Sequence, residues 1–239
     1  MLVEKTLIQP VQLWSEMQTV DTSPAKDMTK LLNESVIILR NAIFTSDGKD
    51  KDVTEEIASI FLLYCRNGLN LKIKFSAKLN RADVNWAFNL SKHHMQKIYE
   101  SSGYGWDDDE KMKELTEQGA RFLLIYDSSN VENYQSKLVG FAHFRFTVEG
   151  EVIDQMVGEP CLYVWDIQLD EKIQRQGVGR HLITLIELIA RRERMSYVSL
   201  PIQLTAKHAR SWISKVRGFK PDYNLKSLVG FNPEQEVTR

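Results

Sequence analysis

The chain has 239 residues, enough for one domain with an extension and a core of ordinary size. Its 31 lysines and arginines balance 32 acidic residues, so a net charge of −1 argues against a basic nucleic-acid-binding protein. No apolar run is long enough to span a membrane, and no signal peptide is evident. The two cysteines form no disulfide framework, which indicates a reducing compartment. Neither they nor the five histidines have the spacing of metal ligands, so no metal site is predicted.

The first part of the chain is predicted to be helical. Apolar residues at helical spacing indicate an amphipathic helix over 26–44 and a second helix over 53–64, separated by a polar break. Residues 1–65 are therefore predicted to form an N-terminal helical extension, and residues 66–239 the main domain. After a turn at Asn67-Gly68, alternation of apolar and polar residues predicts a half-exposed strand over 69–75.

The remainder of the chain alternates between helix and strand patterns. A long helix is predicted from Val84 to Glu100 with Asp83 as its cap, and a short helix opens at the four acids that begin with Asp107. The later elements are strands over 120–126, 137–148 and 162–169, a helix over 178–194, a strand over 197–202, a helix over 206–217 and a strand from 219. This order predicts an α/β fold with a mixed, mostly antiparallel sheet and one crossover helix.

The most informative segment joins the predicted strand 162–169 to the predicted helix 178–194. It reads Gln174-Arg175-Gln176-Gly177-Val178-Gly179-Arg180. Glycines let the backbone approach a ligand closely, and the unpaired N–H groups at a helix N-terminus favour a diphosphate. A Walker loop would need Lys followed by Ser or Thr after its last glycine, and this pair is missing. A dinucleotide-binding fingerprint would need a third glycine, which is also missing. The segment resembles the pyrophosphate loop of the GCN5-related (GNAT) acetyltransferase superfamily; the alternative is an ordinary glycine-rich turn.

Asp166 is the carboxylate that the sequence singles out. It lies in a predicted central strand covered on both faces, where an acid is costly to bury without a partner. Asp166 is therefore a candidate catalytic acid or base, and a structural aspartate at a strand end is the alternative. The GNAT resemblance implies acetyl-CoA as cofactor and splayed central strands. It also implies that the pantetheine arm pairs with the backbone of Ile167, Gln168 and Leu169.

A second group of residues resembles one family more closely. The group comprises Asn67-Gly68-Leu69-Asn70, Val84-Asn85-Trp86-Ala87-Phe88-Asn89-Leu90-Ser91-Lys92, Met95-Gln96, Tyr99-Glu100, Gly105-Trp106 and His143-Phe144-Arg145-Phe146. Over residues 67–219 the chain is similar to the N-terminal acetyltransferase D family. The resemblance implies acetylation of the free α-amine of histone 4 and histone 2A tails beginning Ser-Gly-Arg-Gly, in the cytoplasm and nucleus, with no direct contact to nucleic acid or membrane.

The same resemblance implies catalytic roles and shows substitutions. Asp166 stands in place of the family's catalytic glutamate, Trp165 in place of the tyrosine before it, and Ala206 in place of an asparagine that positions CoA. An α-amino group with a pKa of about 7.7–8.0 is already partly neutral near pH 7, so a modest base such as Asp166, acting through one water, suffices. The substitutions keep two alternatives open: a catalytically weak acyl-CoA-binding module, and a lysine or small-molecule acetyltransferase of the same fold.

Five positions are implied to bind the substrate peptide. Tyr99 and Tyr104 would line the peptide entrance. Thr147 stands where the family has an aspartate that holds the substrate's amino end and arginine, and Glu149 is a substitute for that acid. Tyr223 corresponds to a late tyrosine that contacts the peptide. Core packing is the alternative role for the aromatic residues.

Overall fold

The computed structural model describes residues 26–129, 137–149 and 159–200, together with residues 202, 211 and 212. The helices described in full are α1 (Lys26–Ile43), α2 (Arg81–Ser101), α3 (Asp108–Thr116) and α4 (Val178–Arg192). The strands are β1 (Leu63–Arg66), β2 (Leu69–Ser76), β3 (Arg121–Asp127), β4 (Lys137–Glu149), β5 (Glu159–Leu169) and β6 (Tyr197–Ser199). No helix among these residues is long and apolar enough to cross a bilayer.

The six strands form one sheet in the order β1-β2-β3-β4-β5-β6. Each pair from β1 to β5 is antiparallel, whereas β5 and β6 are parallel and are connected through the crossover helix α4. A parallel pair requires such a crossover, since a short hairpin joins only antiparallel strands. The predicted α/β fold with a mostly antiparallel sheet is confirmed.

Two layers of helices cover the sheet. On one face, α1 and α4 share a core with inward residues of the strands, because the apolar stripe of α4 (Leu182, Leu185, Ile186 and Ile189) is fully buried. On the other face, α2 and α3 pack Val84, Ala87 and Leu115 against Phe122 and Phe141. This second face also carries the polar residues of the candidate site.

The predicted helix over 53–64 is wrong. The chain instead forms a short 3₁₀ helix, Ser59–Leu62, followed by the edge strand β1, which pairs with β2. Asn67 and Gly68 both have positive φ, 54° and 79°, as in the two-residue turn of a hairpin. Such a turn joins two paired strands, so the residues on both sides of Asn67-Gly68 form strands. The predicted boundary between the N-terminal extension and the main domain, after residue 65, therefore falls inside β1.

Smaller differences concern element ends. Asn80 caps α2, because its side-chain oxygen accepts the N–H of Asp83 at 2.9 Å, and Asp83 lies in the first turn instead. Strand β6 ends at Ser199, three residues earlier than predicted. Residues 211 and 212 are helical; the rest of the predicted helix 206–217 and the last strand lie outside the described residues.

Candidate active site

A bulge in β5 lies at the predicted catalytic position. His143 of β4 pairs with Asp166, and the next residue, Phe144, pairs with Val164, so Trp165 is an extra residue on β5. A bulge turns neighbouring side chains toward the same face of a sheet. Trp165 stacks on His143 with ring centroids 6.3 Å apart, and Asp166 contacts helix α3 on that same face.

Asp166 belongs to a buried ionic cluster. The Asp166 side chain is 6% exposed, and its Oδ2 accepts a hydrogen bond from Lys111 Nζ at 2.8 Å. Lys111 Nζ also donates to Glu114 Oε2 at 2.6 Å. Burial lowers the pKa of Lys111, but attraction to Asp166 and Glu114 outweighs burial and raises that pKa above its usual value. One ammonium therefore joins two carboxylates beside the bulge.

Gln168 extends this cluster to helix α2. Its Nε2 donates to Asp166 Oδ1 at 3.0 Å, and its Oε1 lies 2.9 Å from His94 Nδ1. A carboxylate can only accept, so the amide orientation is fixed, and Nδ1 of His94 is the protonated nitrogen that donates to Oε1. The side chain of Gln168 thus ties α2 to the carboxylate on β5.

Strand β5 has an open edge next to Asp166. Strand β6 pairs only with Cys161, Leu162 and Tyr163, and no other described strand covers the later residues on that side. The N–H of Asp170 bonds to the carbonyl of Val139 on the β4 side, so alternation directs the peptide groups of Ile167 and Leu169 toward the open side. This geometry matches the splayed strands predicted for a pantetheine arm.

The segment after β5 forms a loop suited to an anion. Arg175 and Gly177 have positive φ, 57° and 92°, and among the described residues no side chain caps α4. The first backbone hydrogen bond of α4 joins the His181 N–H to the Gly177 carbonyl at 3.1 Å. The N–H groups of Val178, Gly179 and Arg180 precede that bond, as expected at a helix N-terminus that binds phosphate.

Strand β1 holds this loop in place. The Gln176 carbonyl accepts hydrogen bonds from the Tyr64 hydroxyl and from Asn67 Nδ2, the latter at 3.3 Å. The side-chain amide of Gln176 donates from Nε2 to the Lys172 carbonyl at 2.7 Å. A Cβ at Gly177 would lie 2.7 Å from Tyr64 Oη, so the Tyr64 side chain would have to shift to admit a side chain there. Tyr64 lies in a segment predicted to be helical, and no sequence pattern indicates its contact with the loop.

A cavity of about 520 Å³ lies beside the loop and is lined by His94, Glu171, Gln174 and Arg175. The exposed guanidinium of Arg175 suits a phosphate, and Gln174 is held by its hydrogen bond to the Leu169 carbonyl at 2.8 Å. Gln174, which lines the cavity, thus contacts Leu169 of the open strand edge, and Arg175 lies three residues before α4 begins. These residues therefore fit a ligand that has an amide-bearing arm and a diphosphate, as acetyl-CoA has.

Three side chains at the rim of this cavity have ligand atoms within 4.8 Å of one another, namely His93, His94 and Glu171. His93 and Glu171 are 68% and 76% exposed, and the Nδ1 of His94 is already bonded to Gln168. Such exposure is typical of a solvated pair on a surface rather than of a built metal site.

Aromatic residues predicted at the peptide entrance cluster at the end of α2. The ring of Tyr99 packs edge-on against Tyr104 and Trp106, with centroids 5.3 and 5.7 Å apart. Tyr104 is 59% exposed. Burial of its hydroxyl and the negative charges of Glu110 and Glu114 raise the pKa of Tyr104, which places this ring near the ionic cluster.

The structure separates the other predicted peptide contacts from Asp166. Thr147 pairs with Cys161, four residues along β4 from His143, which corresponds to roughly 13 Å at about 3.3 Å per residue. Glu149 lies two residues further along β4. Only an extended peptide could reach both Asp166 and these positions. Tyr223 and Ala206 lie outside the described residues.

Helix α3 contributes Lys111 and Glu114 to the ionic cluster, and neither residue was predicted from the sequence. Lys111 lies one helical turn before Leu115, and both are buried, although α3 is polar on most positions. The spacing to Leu115 is the signal that could have placed Lys111 inward. Arg145 of β4 fixes the end of α3, because it donates to Glu117 Oε2 and to the Glu114 carbonyl, and its guanidinium lies 5.0 Å from the Trp165 ring centroid.

His143 lies fully buried beneath this site. Its ring stacks on Phe122 at a centroid distance of 4.7 Å, and neither ring nitrogen has a hydrogen-bond partner among the described residues. Burial lowers the pKa of His143 well below its usual value, and the positive charges of Arg145 and Lys111 act in the same direction. His143 is therefore neutral in the folded protein.

This neutral histidine predicts a loss of stability in acid. Below about pH 6.5 the unfolded chain binds a proton that folded His143 does not, so the free energy of unfolding should fall as pH falls, by up to about 1.4 kcal/mol per unit. His143→Phe keeps the stacking and should remove that part of the slope in urea titrations between about pH 6.5 and 5. His93→Gln, which changes an exposed histidine, should keep the wild-type slope. Equal slopes for all three proteins would contradict this account.

Comparison with known proteins identifies the family. Residues 92–219 match the model of the acetyltransferase (GNAT) family. The fold is similar to an aminoglycoside acetyltransferase from an uncultured soil metagenomic sample (18% identity, 64% of this chain and 90% of that chain covered, TM-score 0.44). It is also similar to a ribosomal-protein-alanine N-acetyltransferase from Brucella melitensis biovar Abortus 2308 (18% identity, 64% and 94% covered, TM-score 0.44). Since the matched span exceeds half of the chain and includes β5 and the loop before α4, the chain belongs to the acetyltransferase (GNAT) family.

Proposed function

We propose that this acetyltransferase modifies the free α-amino group of a protein N-terminus, with acetyl-CoA as donor and the Ser-Gly-Arg-Gly tails of histone 4 and histone 2A as substrates in the cytoplasm and nucleus. The observation that carries the proposal is the ionic cluster at the bulge of β5. Asp166 and Glu114 hold one primary ammonium, that of Lys111, at 2.8 and 2.6 Å. A site that binds an internal ammonium in this way has the charge needed to receive a substrate amine.

The residues around the cluster have complementary roles in acyl transfer. When bound, acetyl-CoA supplies an acetyl group activated as a thioester. The N–H groups at the start of α4 would hold its diphosphate, and the open edge of β5 would align its arm. The N–H of Ile167, directed to the open side, would meet negative charge that develops on the acetyl oxygen. A carboxylate of the ionic cluster would take a proton from the amine.

The first turn of α3 provides charge for a basic substrate. Asp107, Asp109 and Glu110 are exposed next to the aromatic group at the end of α2, and Glu110 is close enough to raise the pKa of Tyr104. An arginine in the third position of the peptide would be attracted by this acidic surface, and the aromatic rings would enclose the chain before it. In this proposal these acids bind the substrate arginine, a role that the family resemblance implies for the position of Thr147 or for Glu149.

One assay tests the proposal against its alternatives. The protein is incubated with acetyl-CoA and a peptide beginning Ser-Gly-Arg-Gly-Lys whose N-terminus is either free or chemically blocked, and the modified residue is located by mass spectrometry. Modification confined to the free α-amine is the expected result. Equal labelling of the blocked peptide would identify a lysine acetyltransferase. CoA binding without any transfer would identify an acyl-CoA-binding module, and either result would overturn the proposal.

A further inference from the structure

Both oxygens of Asp166 are already engaged inside the protein. Oδ2 accepts from Lys111 and Oδ1 accepts from Gln168, and the side chain is only 6% exposed. A general base must come within hydrogen-bond reach of the proton it takes, directly or through one water. Asp166 is therefore placed to anchor the cluster rather than to meet an incoming amine.

Glu114 occupies the outer side of the same cluster. Its side chain is 21% exposed, and the hydrogen bond described for its carboxylate uses Oε2 alone. Burial raises the pKa of Glu114 above its usual value, and this effect exceeds the opposing attraction of Lys111. A carboxylate with a raised pKa takes a proton more readily near neutral pH than an ordinary one.

Hydrogen bonds to both its side-chain carboxylate and its backbone carbonyl hold Glu114 in position. Lys111 Nζ holds its carboxylate, and Arg145 Nη2 donates to its backbone carbonyl at 2.9 Å. Lys111 is itself held by Asp166 on β5. Helix α3 is thus locked against the bulge by a chain of ionic contacts that ends at the solvent-facing carboxylate.

We infer that Glu114 is the residue that receives the proton of the substrate amine, that Lys111 is the positioning residue which holds it, and that Asp166 anchors Lys111. The inference deepens the proposed function, because it concerns the same amine site. In the reaction the amine nitrogen forms a bond to the acetyl carbon, the carbon–sulfur bond breaks, and the nitrogen loses one proton to Glu114. Glu114 then passes this proton, directly or through water, to the departing thiolate, so CoA leaves as the thiol and Glu114 returns to its carboxylate form.

The pH dependence of Glu114→Gln tests this assignment. At about pH 7, kcat/KM for the peptide should fall by roughly 100-fold, the lower end for loss of a general base. The deficit should shrink to roughly 10- to 20-fold near pH 9.5, because an α-amine with a pKa of about 7.7–8.0 is only about one-tenth to one-sixth neutral at pH 7 and almost fully neutral at pH 9.5. Glu55→Gln removes the same charge from an exposed glutamate outside the ionic cluster and should stay within about twofold of wild type. A deficit independent of pH, or one equal to that of Glu55→Gln, would overturn the assignment.

Lys111 variants test the positioning role. Lys111→Met should lower kcat more than it changes KM for the peptide, and Lys111→Arg should restore part of kcat. CoA affinity and the thermal midpoint of each variant show whether it is folded. If Lys111→Met left kcat and the pH profile unchanged, the positioning role would be wrong.

Two further measurements separate this inference from the proposed function. If the wild-type protein acetylates a lysine peptide or a polyamine instead, the histone proposal fails, and the Glu114→Gln deficit is expected with that acceptor. The carboxyl ¹³C signal that disappears in Glu114→Gln should titrate above the ordinary range of a glutamate side chain and shift in Lys111→Met, with no acceptor present. If the Glu114 signal titrated in the ordinary glutamate range and did not shift in Lys111→Met, the inference would be overturned, even if no acceptor were found.

Discussion

Asp166→Asn should lower kcat for acetyl transfer by roughly 100-fold, no more than the loss of Glu114 itself, and leave CoA affinity within about threefold of wild type. The substitution keeps the shape of the side chain and removes its charge. Lys111 then loses one of its two carboxylates and is held by Glu114 alone, so the group that should accept the proton is tied to the ammonium. Single-turnover transfer from acetyl-CoA measures the first quantity, and calorimetric titration with CoA measures the second.

Two control variants make this result specific. Asp127→Asn changes an acid at the end of β3, away from the cluster, and should have wild-type turnover. Asp166→Glu keeps the negative charge on a side chain one methylene longer, and should keep a substantial part of the activity. The urea midpoint of Asp166→Asn should be lower, since breaking a buried ion pair destabilises a protein by about 3–5 kcal/mol. Wild-type turnover in Asp166→Asn would remove Asp166 from the site.

The fold could be predicted where local pattern and long-range packing agree. The apolar stripe of α4, the alternation in β2 and the glycines between β5 and α4 each indicate their structure within a short window, and the structure has these elements at almost the predicted positions. The region from Val53 to Tyr64 differs, because its apolar residues fit a helix equally well. Only the pairing of β1 with β2 across Asn67-Gly68 decides in favour of a strand.

The ionic cluster could not be predicted in the same way. Asp166 stood out because an acid within an apolar strand needs a partner. Its partner Lys111 is separated from it by 55 positions, and lies in a helix whose composition is that of an exposed segment. The bulge at Trp165 also depends on the register between β4 and β5 and leaves no local sequence pattern. The sequence thus indicated which acid to examine, and the tertiary contacts showed what surrounds it.

Gly177→Asp should weaken CoA binding by roughly a thousandfold. A carboxylate there would lie within the loop that should hold the diphosphate, and two charges about 4 Å apart near a protein surface repel by on the order of 4 kcal/mol. The φ of 92° and the Tyr64 hydroxyl, 2.7 Å from the Cβ, would add strain at the start of α4. Transfer at saturating acetyl-CoA should fall much less than affinity, because the ionic cluster on β5 is untouched. Titration calorimetry with CoA measures the loss.

Gly48→Asp separates repulsion of the phosphate from backbone strain. Gly48 has a similar φ of 79°, has no atom within 4 Å of an added Cβ, and lies in the turn after α1. This variant should show the cost of the positive φ as a lower thermal midpoint and bind CoA with wild-type affinity. Gly177→Ala adds the strain without the charge and should fall between the two in affinity. If Gly177→Asp bound CoA as tightly as Gly48→Asp, the diphosphate would have to lie elsewhere, and the loop between β5 and α4 would be an ordinary turn.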